Sequence, residues 1–340
     1  MALDVRKNAA TMPVVEFENF RKACVLLKSQ LVPGQAFGRY DQWVAVHGCI
    51  MGVKSPGSLS FMNMGHQNIG FLPWHREYLR RFELALRAVV PGVTIPYWPW
   101  PITPEPSELF SNARIHRIFF LSDSPQDLGG LFATAGPAPP PSWWPAGFTW
   151  RVQPALQVEG SPILRRGSDV NTWPPTAASL TEVENMNLTP SGVNPYWMFW
   201  NRLEAGMRMH NAGHNIVGGY MSNPVFSPND PLFWLHHSFI DRVWSRWQAK
   251  RLAGQPGSTL ASHYPPPTEA SPINGQVPPV GHRRDDLLWP WVGTTPGYSV
   301  NQSAGVQAML PTFSTVPARR IRDVLDITNL GEGLGGYEYA

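Results

Sequence analysis

Apolar residues recur at helical spacing in several segments of the chain, with polar residues between them. In the first segment, Phe17, Phe20 and Cys24 mark one face of an amphipathic helix. Another segment begins with Pro73, which suits a first helical turn. In a third, Asp230 is an N-cap and Pro231 takes the first helical position. The pattern predicts helices over residues 16–31, 40–50, 73–89, 195–209 with a continuation through His210 and His214, and 230 to about 252.

Long stretches between these segments are predicted as loops, because the chain contains 36 prolines and proline can neither continue a helix nor sit in a central strand. Residues 51–71 and 99–195 are mostly loop, and the tail after Ala253 ends in strand-like pieces such as 320–327. The 15 tryptophans need a core in which they can be buried. No internal repeat is visible. We therefore expect one mainly α domain over residues 1–340, wrapped by long Pro-rich loops with a few short strands.

Charge and cysteine content narrow the classes of function. The net charge of +3 comes without a run of lysines and arginines, so a nucleic-acid partner is not expected. No stretch reaches the ~18–20 apolar residues of a membrane span, and residues 1–10 do not form a signal peptide. The expected location is the cytoplasm, unless a partner carries the chain out. Cys24 and Cys49 are not in a Cys-x-x-Cys motif, which excludes a thiolate metal site.

Seven of the ten histidines fall in two clusters on or just before predicted helices. His210 and His214 are four residues apart, so on a helix their Cβ atoms lie ~5–6 Å apart and both rings can hold one metal ion. His236 and His237 are adjacent, and only one of them can join that ion, because neighbouring helical residues point about 100° apart. Such a pair alone is a weak signal. The other cluster consists of His47, His66 and His75.

Two longer strings around these histidines make the signal specific. They read FLPWHREYL at 71–79 and NDPLFWLHHSFIDRVW at 229–244. Both resemble the two copper-binding signatures of the tyrosinase family, which includes tyrosinases, catechol oxidases and o-aminophenol oxidases, with mollusc haemocyanin units as relatives. The resemblance extends over nearly the whole chain through Pro96-Tyr97-Trp98, Gly218-Gly219 and a closing Tyr337-Glu338-Tyr339.

The resemblance implies a central four-helix bundle that holds two copper ions, with O2 as co-substrate and a small phenol as substrate. Neutral imidazole suits copper, and three imidazoles on each ion leave an open position where O2 binds in this family. His236 would be a buried neighbour, whereas His116, His263 and His282 match no family position and are expected at the surface or in loops. Carried over by position, the ligands would be His47, His66 and His75 for copper A, and His210, His214 and His237 for copper B.

Two residues concern the reaction itself. In bacterial members of the family, an asparagine after the first copper B histidine and a glutamate upstream of it hold a water that can deprotonate a phenol. Asn211 and Glu204 occupy these places here, which implies ortho-hydroxylation of monophenols as well as oxidation of o-diphenols to o-quinones. Two alternatives remain open: an o-aminophenol or catechol oxidase without strong monophenolase activity, and an oxygen carrier with the same six histidines.

Other positions imply supporting roles. Asp241 lies one helical turn beyond His237 and is expected to be buried and to orient a ligand ring, the alternative being an ion pair with an arginine at the surface. Pro224 falls where the family places a residue over the mouth of the site, so it is expected to influence substrate access. Pro99 replaces the aspartate of the usual Pro-Tyr-Trp-Asp-Trp string. Met64 excludes the Cys–His thioether of fungal and plant members, as expected for a site of the bacterial kind.

The two ends of the chain suggest further features. Arg6 is expected either to stack on Tyr337 or Tyr339 as a cation–π pair or to be an ordinary surface residue. Many family members carry a C-terminal shielding domain or use a separate helper protein that delivers copper. Because the sequence stops at Ala340, just past the Tyr-x-Tyr string, we expect no shielding domain and keep the helper as a candidate partner.

Overall fold

The computed structural model describes residues 3–100, 141–166, 176–186, 192–204, 209–331 and 333–340. Within these ranges short 3-10 turns lie at Pro154–Leu156, Gly219–Ser222, Ser227–Asn229, Leu260–His263 and Ile321–Val324. The strands are β1 (Asp4–Arg6), β2 (Val53–Lys54), β3 (Ser299–Val300) and β4 (Tyr337–Tyr339). The α-helices are α1 (Val14–Ser29), α2 (Arg39–Ile50), α3 (Phe71–Arg87), α4 (Ala177–Glu184), α5 (Tyr196–Glu204), α6 (His210–Val217), α7 (Leu232–Gly254) and α8 (Ala304–Gln307).

The mainly α class is confirmed, and α1, α2, α3 and α7 lie within about two residues of their predicted bounds. Helix α3 begins two residues before Pro73, and its first backbone hydrogen bond runs from Trp74 N to Gly70 O at 2.9 Å. Proline is tolerated there because the first four amides of a helix have no acceptor within the helix. At the start of α7, Asp230 Oδ1 accepts from Leu232 N at 2.9 Å, as the predicted N-cap requires.

Two predictions of secondary structure are wrong, and the predicted loop at 99–195 also contains a helix. The helix predicted from 195 through His214 is not continuous, because Met209 has φ −124° and ψ −108° and α6 starts anew after it. The segment 99–195 contains α4, which Thr176 caps by accepting from Ser179 N at 3.1 Å. In the strand-like piece predicted at 320–327, residues Ile321–Val324 form a 3-10 turn, and Arg320 makes an isolated bridge to Leu287. Of the loop predicted at 99–195, residues 101–140, 167–175 and 187–191 lie outside the described residues.

A layer of aromatic rings joins the helices that carry the clustered histidines. Phe82 of α3 stacks on Trp234 of α7, with ring centroids 3.5 Å apart and an interplanar angle of 7°. Tyr40 of α2 accepts a hydrogen bond from Trp234 Nε1 at 2.8 Å and donates one to Pro228 O at 2.7 Å. These residues are buried, and large aromatic rings dominate the energetics of such cores. The layer therefore fixes α2, α3 and α7 relative to one another within the four-helix bundle.

The two ends of the chain meet beside α3. Strand β1 pairs in parallel with β4, and the Arg6 guanidinium lies 3.7 Å from the centroid of the Tyr337 ring. The predicted cation–π contact is thus confirmed, with Arg6 fully buried rather than at the surface. Strands β2 and β3 form a separate antiparallel pair. Among the described helices, none has the length and apolar character needed to cross a bilayer.

Candidate metal centre

Three histidines from the first half of the chain converge beside α3. His47 lies in the last turn of α2, His75 in the second turn of α3, and His66 in the loop that leads into α3. Their ring centroids are 4.8 to 5.8 Å apart. Each ring offers a nitrogen within 4.8 Å of those of the other two. The structure therefore brings together the whole set predicted for copper A.

The second cluster joins α6 to α7. His214 Nε2 lies 3.1 Å from His210 Nε2 and 3.2 Å from His237 Nε2. The two clusters face each other, since the rings of His75 and His237 stack with centroids 4.1 Å apart. His66 and His210 lie 6.3 Å apart by the same measure. The six histidines thus surround one shared space.

Backbone carbonyls define the tautomers of three rings. His47 Nδ1 lies 2.9 Å from Val225 O, and His75 Nδ1 lies 2.9 Å from Phe71 O. His214 Nδ1 lies 2.7 Å from the carbonyl oxygen of Met221. A carbonyl only accepts, so each Nδ1 carries the proton and each Nε2 presents a lone pair. Backbone acceptors of this kind commonly orient the histidines that bind metals.

The donor set fits copper. Burial lowers the pKa of His47 to about 3 and that of His214 to about 4, and it holds the pKa values of the other clustered histidines well below their usual range. The rings are therefore neutral near pH 7. Neutral Nε2 atoms at 3.1–3.2 Å cannot all satisfy one another, and His47 Nε2 and His75 Nε2 have no hydrogen-bond partner in the described structure. A cation bound by imidazoles alone resolves both features, and imidazole suits copper.

His236 also belongs to the second cluster, but one of its ring nitrogens is already engaged. Trp100 Nε1 donates to His236 Nδ1 at 2.9 Å. The ring also packs against Gly213, where an added Cβ would lie 2.3 Å from His236 Cε1. Sequence reasoning missed both contacts, although Trp100 belongs to the same string as Pro99. These contacts favour His237 over His236 as the third candidate ligand of that cluster.

A pocket of about 520 Å³ opens onto three of the clustered histidines, His66, His210 and His214. Glu204, Asn211 and Pro224 also line it. Glu204 is 4% exposed, and its carboxylate accepts hydrogen bonds from Gln67 N and from the Trp200 indole. Burial raises the pKa of Glu204 to about 8, against the opposing effect of these hydrogen bonds. Asn211 Oδ1 lies 3.0 Å from His210 Nδ1. Pro224 is exposed at the mouth.

Asp241 is buried, but its contacts differ from those predicted. Its carboxylate lies 2.6 Å from Arg76 Nε and accepts hydrogen bonds from the hydroxyls of Tyr337 at 2.5 Å and Tyr339 at 2.7 Å. No histidine is among the hydrogen-bond partners that the structure gives it. The expectation that Asp241 orients a ligand ring is therefore wrong in geometry, because α7 turns this side chain toward the chain ends instead.

The histidines left over by the family pattern were expected at the surface or in loops. His282 does lie in a loop and His263 in a short 3-10 turn, but they are only 0% and 2% exposed. Burial lowers the pKa of His263 to about 4 and that of His282 to about 3, so both rings are neutral and behave as core residues. Their burial comes from contacts distant in sequence, such as that between His282 and Gly70. His116 lies outside the described residues.

Comparison with known proteins places the chain in a family. The common central domain of tyrosinase matches residues 38–250. A tyrosinase of Streptomyces glaucescens is 31% identical over 312 residues, which cover 89% of this chain and 97% of that protein. The grixazone synthase of Streptomyces griseus is 31% identical over 283 residues, or 72% of this chain and 84% of that one.

Solved structures give the same fold. The structure of a polyphenol oxidase from Thermothelomyces thermophila matches with a TM-score of 0.61 at 20% identity, covering 99% of this chain and 89% of that one. A functional unit of octopus haemocyanin matches with a TM-score of 0.51 at 20% identity, covering 99% and 68%. Because the central tyrosinase domain spans both histidine clusters, the chain belongs to the tyrosinase family and is a copper-dependent oxidase of the tyrosinase and polyphenol oxidase type.

Proposed function

We propose that the enzyme uses O2 both to ortho-hydroxylate monophenols and to oxidise o-diphenols to o-quinones. The observation that carries this proposal is a buried carboxyl group, Glu204, in the same pocket as His66, His210 and Asn211. The proposed ligands are His47, His66 and His75 for one copper ion, and His210, His214 and His237 for the other. Copper bound by these imidazoles supplies the redox chemistry through which O2 takes electrons from the substrate.

Glu204 is suited to accept the proton of a phenol. Its raised pKa of about 8 lies between that of an ordinary carboxyl and the ~10 of a phenol, so its ionised form, which predominates above about pH 8, is a stronger base than an exposed glutamate. The Asn211 carbonyl oxygen faces His210, which leaves its amide group to donate to a water. A water that accepts from Asn211 and donates to Glu204 would carry the phenolic proton to the carboxylate.

Glu204 also has a second contact that an experiment must separate from this role. Its carboxylate accepts from the backbone amide of Gln67, the residue after His66. Loss of the side chain could therefore displace the loop that carries a proposed ligand. A role in proton transfer affects only monophenol hydroxylation, whereas displacement of His66 would affect copper content and every oxidation.

We expect Glu204→Gln to lower the rate of monophenol hydroxylation by roughly 100-fold or more, the usual size of general acid–base catalysis. Oxidation of an o-diphenol should stay within about 3-fold of the parent, since a catechol loses its protons more easily in the same site. The measurement is the initial rate on p-cresol and on 4-methylcatechol, with copper determined for each sample. Glu182→Gln, at a carboxylate that is 58% exposed, is the matched control.

The outcomes separate the two roles. Unchanged hydroxylation of p-cresol would refute proton transfer through Glu204. A parallel fall in both rates, together with loss of copper, would show that the carboxylate acts by holding the His66 loop.

Access to the pocket favours an oxidase over an oxygen carrier. Pro224 and Ser222 are exposed, and they line the same pocket as the candidate ligands His210 and His214. A small phenol can therefore approach the proposed copper ions from solvent. Turnover of 4-methylcatechol by the copper-loaded protein tests this directly, because a carrier would bind O2 without consuming the catechol. A single catalytic domain and a helper protein for copper delivery stay predictions.

A further inference from the structure

Five uncharged amide side chains line the pocket, and Asn63 and Asn211 make hydrogen bonds within the protein. We call the other three, Gln67, Asn201 and Asn215, the amide rim. Gln67 is exposed, and Asn201 and Asn215 are half-buried. Within the described part of the chain, none of these side-chain amides has a hydrogen-bond partner, in contrast to Asn211, which faces His210. Each therefore has both donor and acceptor capacity available to a molecule in the pocket.

The backbone at Gln67 is the second observation. Gln67 has φ +58°, and Glu159 is the other described non-glycine residue in the left-handed region. This conformation costs energy for a residue with a Cβ atom, and such outliers cluster at functional sites. The local backbone needs only the Gln67 amide, which donates to Glu204, and glycine would supply that amide without strain. The glutamine side chain is not needed for this backbone conformation, so we expect it to contribute to binding in the pocket that it lines.

The chemistry of the rim indicates what it binds. A primary amide carries no charge and can both donate and accept. Glu204 is the acidic group among the described lining residues, and no lysine or arginine is found among them. The rim therefore matches a neutral polar group, such as a carboxamide or a hydroxyl, better than it matches an ionised one.

We infer that the amide rim binds the ring substituent of the substrate and selects phenols and catechols whose substituent is a neutral hydrogen-bonding group. The inference rests on the proposed function in one respect, namely that phenolic substrates react in this pocket. It adds the class of ring substituent that the pocket prefers. The rim would hold the ring by its substituent, while the hydroxyl groups of the ring face His66, His210 and His214. Gln67 and Asn215 are the residues after His66 and His214, so the rim lies beside the candidate ligands.

The test compares 3,4-dihydroxybenzamide with 4-methylcatechol on copper-loaded enzyme. Because ring substituents change intrinsic reactivity, the deciding quantity is kcat/KM of the variant divided by kcat/KM of the parent, taken for each substrate. Gln67→Gly should lower this ratio about 3- to 10-fold for the benzamide, the size expected for one neutral hydrogen bond, and leave it within about 2-fold for 4-methylcatechol. Asn215→Ala should likewise lower the ratio for the benzamide and leave the ratio for 4-methylcatechol within about 2-fold.

Two further variants control for the backbone. Glu159→Gly relaxes the same left-handed strain at an exposed residue that does not line the pocket, so it should leave both ratios unchanged. Gln67→Asn keeps an amide on a residue that tolerates this conformation. Its ratio for the benzamide should therefore recover at least half of the loss seen in Gln67→Gly. Copper content and thermal midpoint are measured for each variant, and Gln67→Gly should not lower either.

The inference is overturned if Gln67→Gly and Asn215→Ala leave the benzamide ratio unchanged, or if both substrates lose activity equally while copper content is intact. Both probes are o-diphenols, so the result does not depend on monophenol hydroxylation. Failure of the Glu204→Gln test would leave the selectivity measurable, and absence of selectivity would leave the role of Glu204 unaffected.

Discussion

His237→Asn should remove one of the two copper ions and abolish oxidase activity, whereas His236→Asn should keep both ions and most of the activity. The reason lies in which nitrogen each ring presents. His237 points Nε2 at His214 Nε2, 3.2 Å away, and asparagine has no atom that reaches this position. His236 uses Nδ1 to accept from Trp100 Nε1, and asparagine Oδ1 lies close to where Nδ1 stood. The same substitution at adjacent residues therefore removes a ligand in one case and preserves a hydrogen bond in the other.

Copper per chain after reconstitution, with the near-ultraviolet spectrum after addition of hydrogen peroxide, distinguishes these outcomes. The parent should hold two ions and give a strong band, as should His236→Asn. His237→Asn should hold about one ion and lack the band, and catechol oxidation should fall by at least ~1,000-fold because the paired centre is lost. If His236→Asn lost copper while His237→Asn kept it, the ligand assignment would be reversed. Two ions in both variants would remove both residues from the proposed ligand set.

Much of this site could be predicted from the sequence, because the residues that indicate it lie close together along the chain. The spacing of His210 and His214 places both rings on one face of α6, and the string that contains His237 specifies the start of α7. Helix bounds near Pro73 and Asp230 follow from chemistry within one turn, since a proline and a capping carboxylate act on neighbouring amides. The family signatures then associate two clusters that lie far apart in sequence.

The remaining features depend on contacts between distant segments, which spacing does not encode. The break before α6 lies in the backbone of Met209, within a segment whose polarity still matches a helix. His282 is buried because the tail folds back against Gly70, and nothing beside it in sequence indicates this. The indole of Trp100 donates a hydrogen bond to His236, which lies 136 positions further along the chain. Asp241 was correctly expected in the interior, but its position one turn beyond His237 did not reveal which groups it would face.

The groups that Asp241 contacts make its substitution the second change for which we expect a large effect, here on stability. Asp241→Asn should lower the free energy of unfolding by roughly 3–5 kcal/mol, the range found when one partner of a buried ion pair is removed. Arg76 and Arg6 are fully buried, and their guanidinium groups lie 2.6 Å and 3.6 Å from the carboxylate. An asparagine keeps the shape of the side chain but leaves Arg76 without this opposing charge. It also weakens the hydrogen bonds from Tyr337 and Tyr339, which hold β4 against α7.

The midpoint of urea unfolding, followed by tryptophan fluorescence, measures this loss. Asp285→Asn is the control, because Asp285 pairs with Arg322 at the surface with both side chains more than half exposed, and such a pair contributes about 1 kcal/mol or less. Copper content of the folded Asp241→Asn protein should equal that of the parent, since the carboxylate contacts arginines and tyrosines rather than the histidine rings. A variant that stayed as stable as the parent but lost copper would reverse this reading and restore Asp241 as an orienting group for the metal ligands. Equal losses at Asp241 and Asp285 would mean that the buried network contributes no more than an exposed pair.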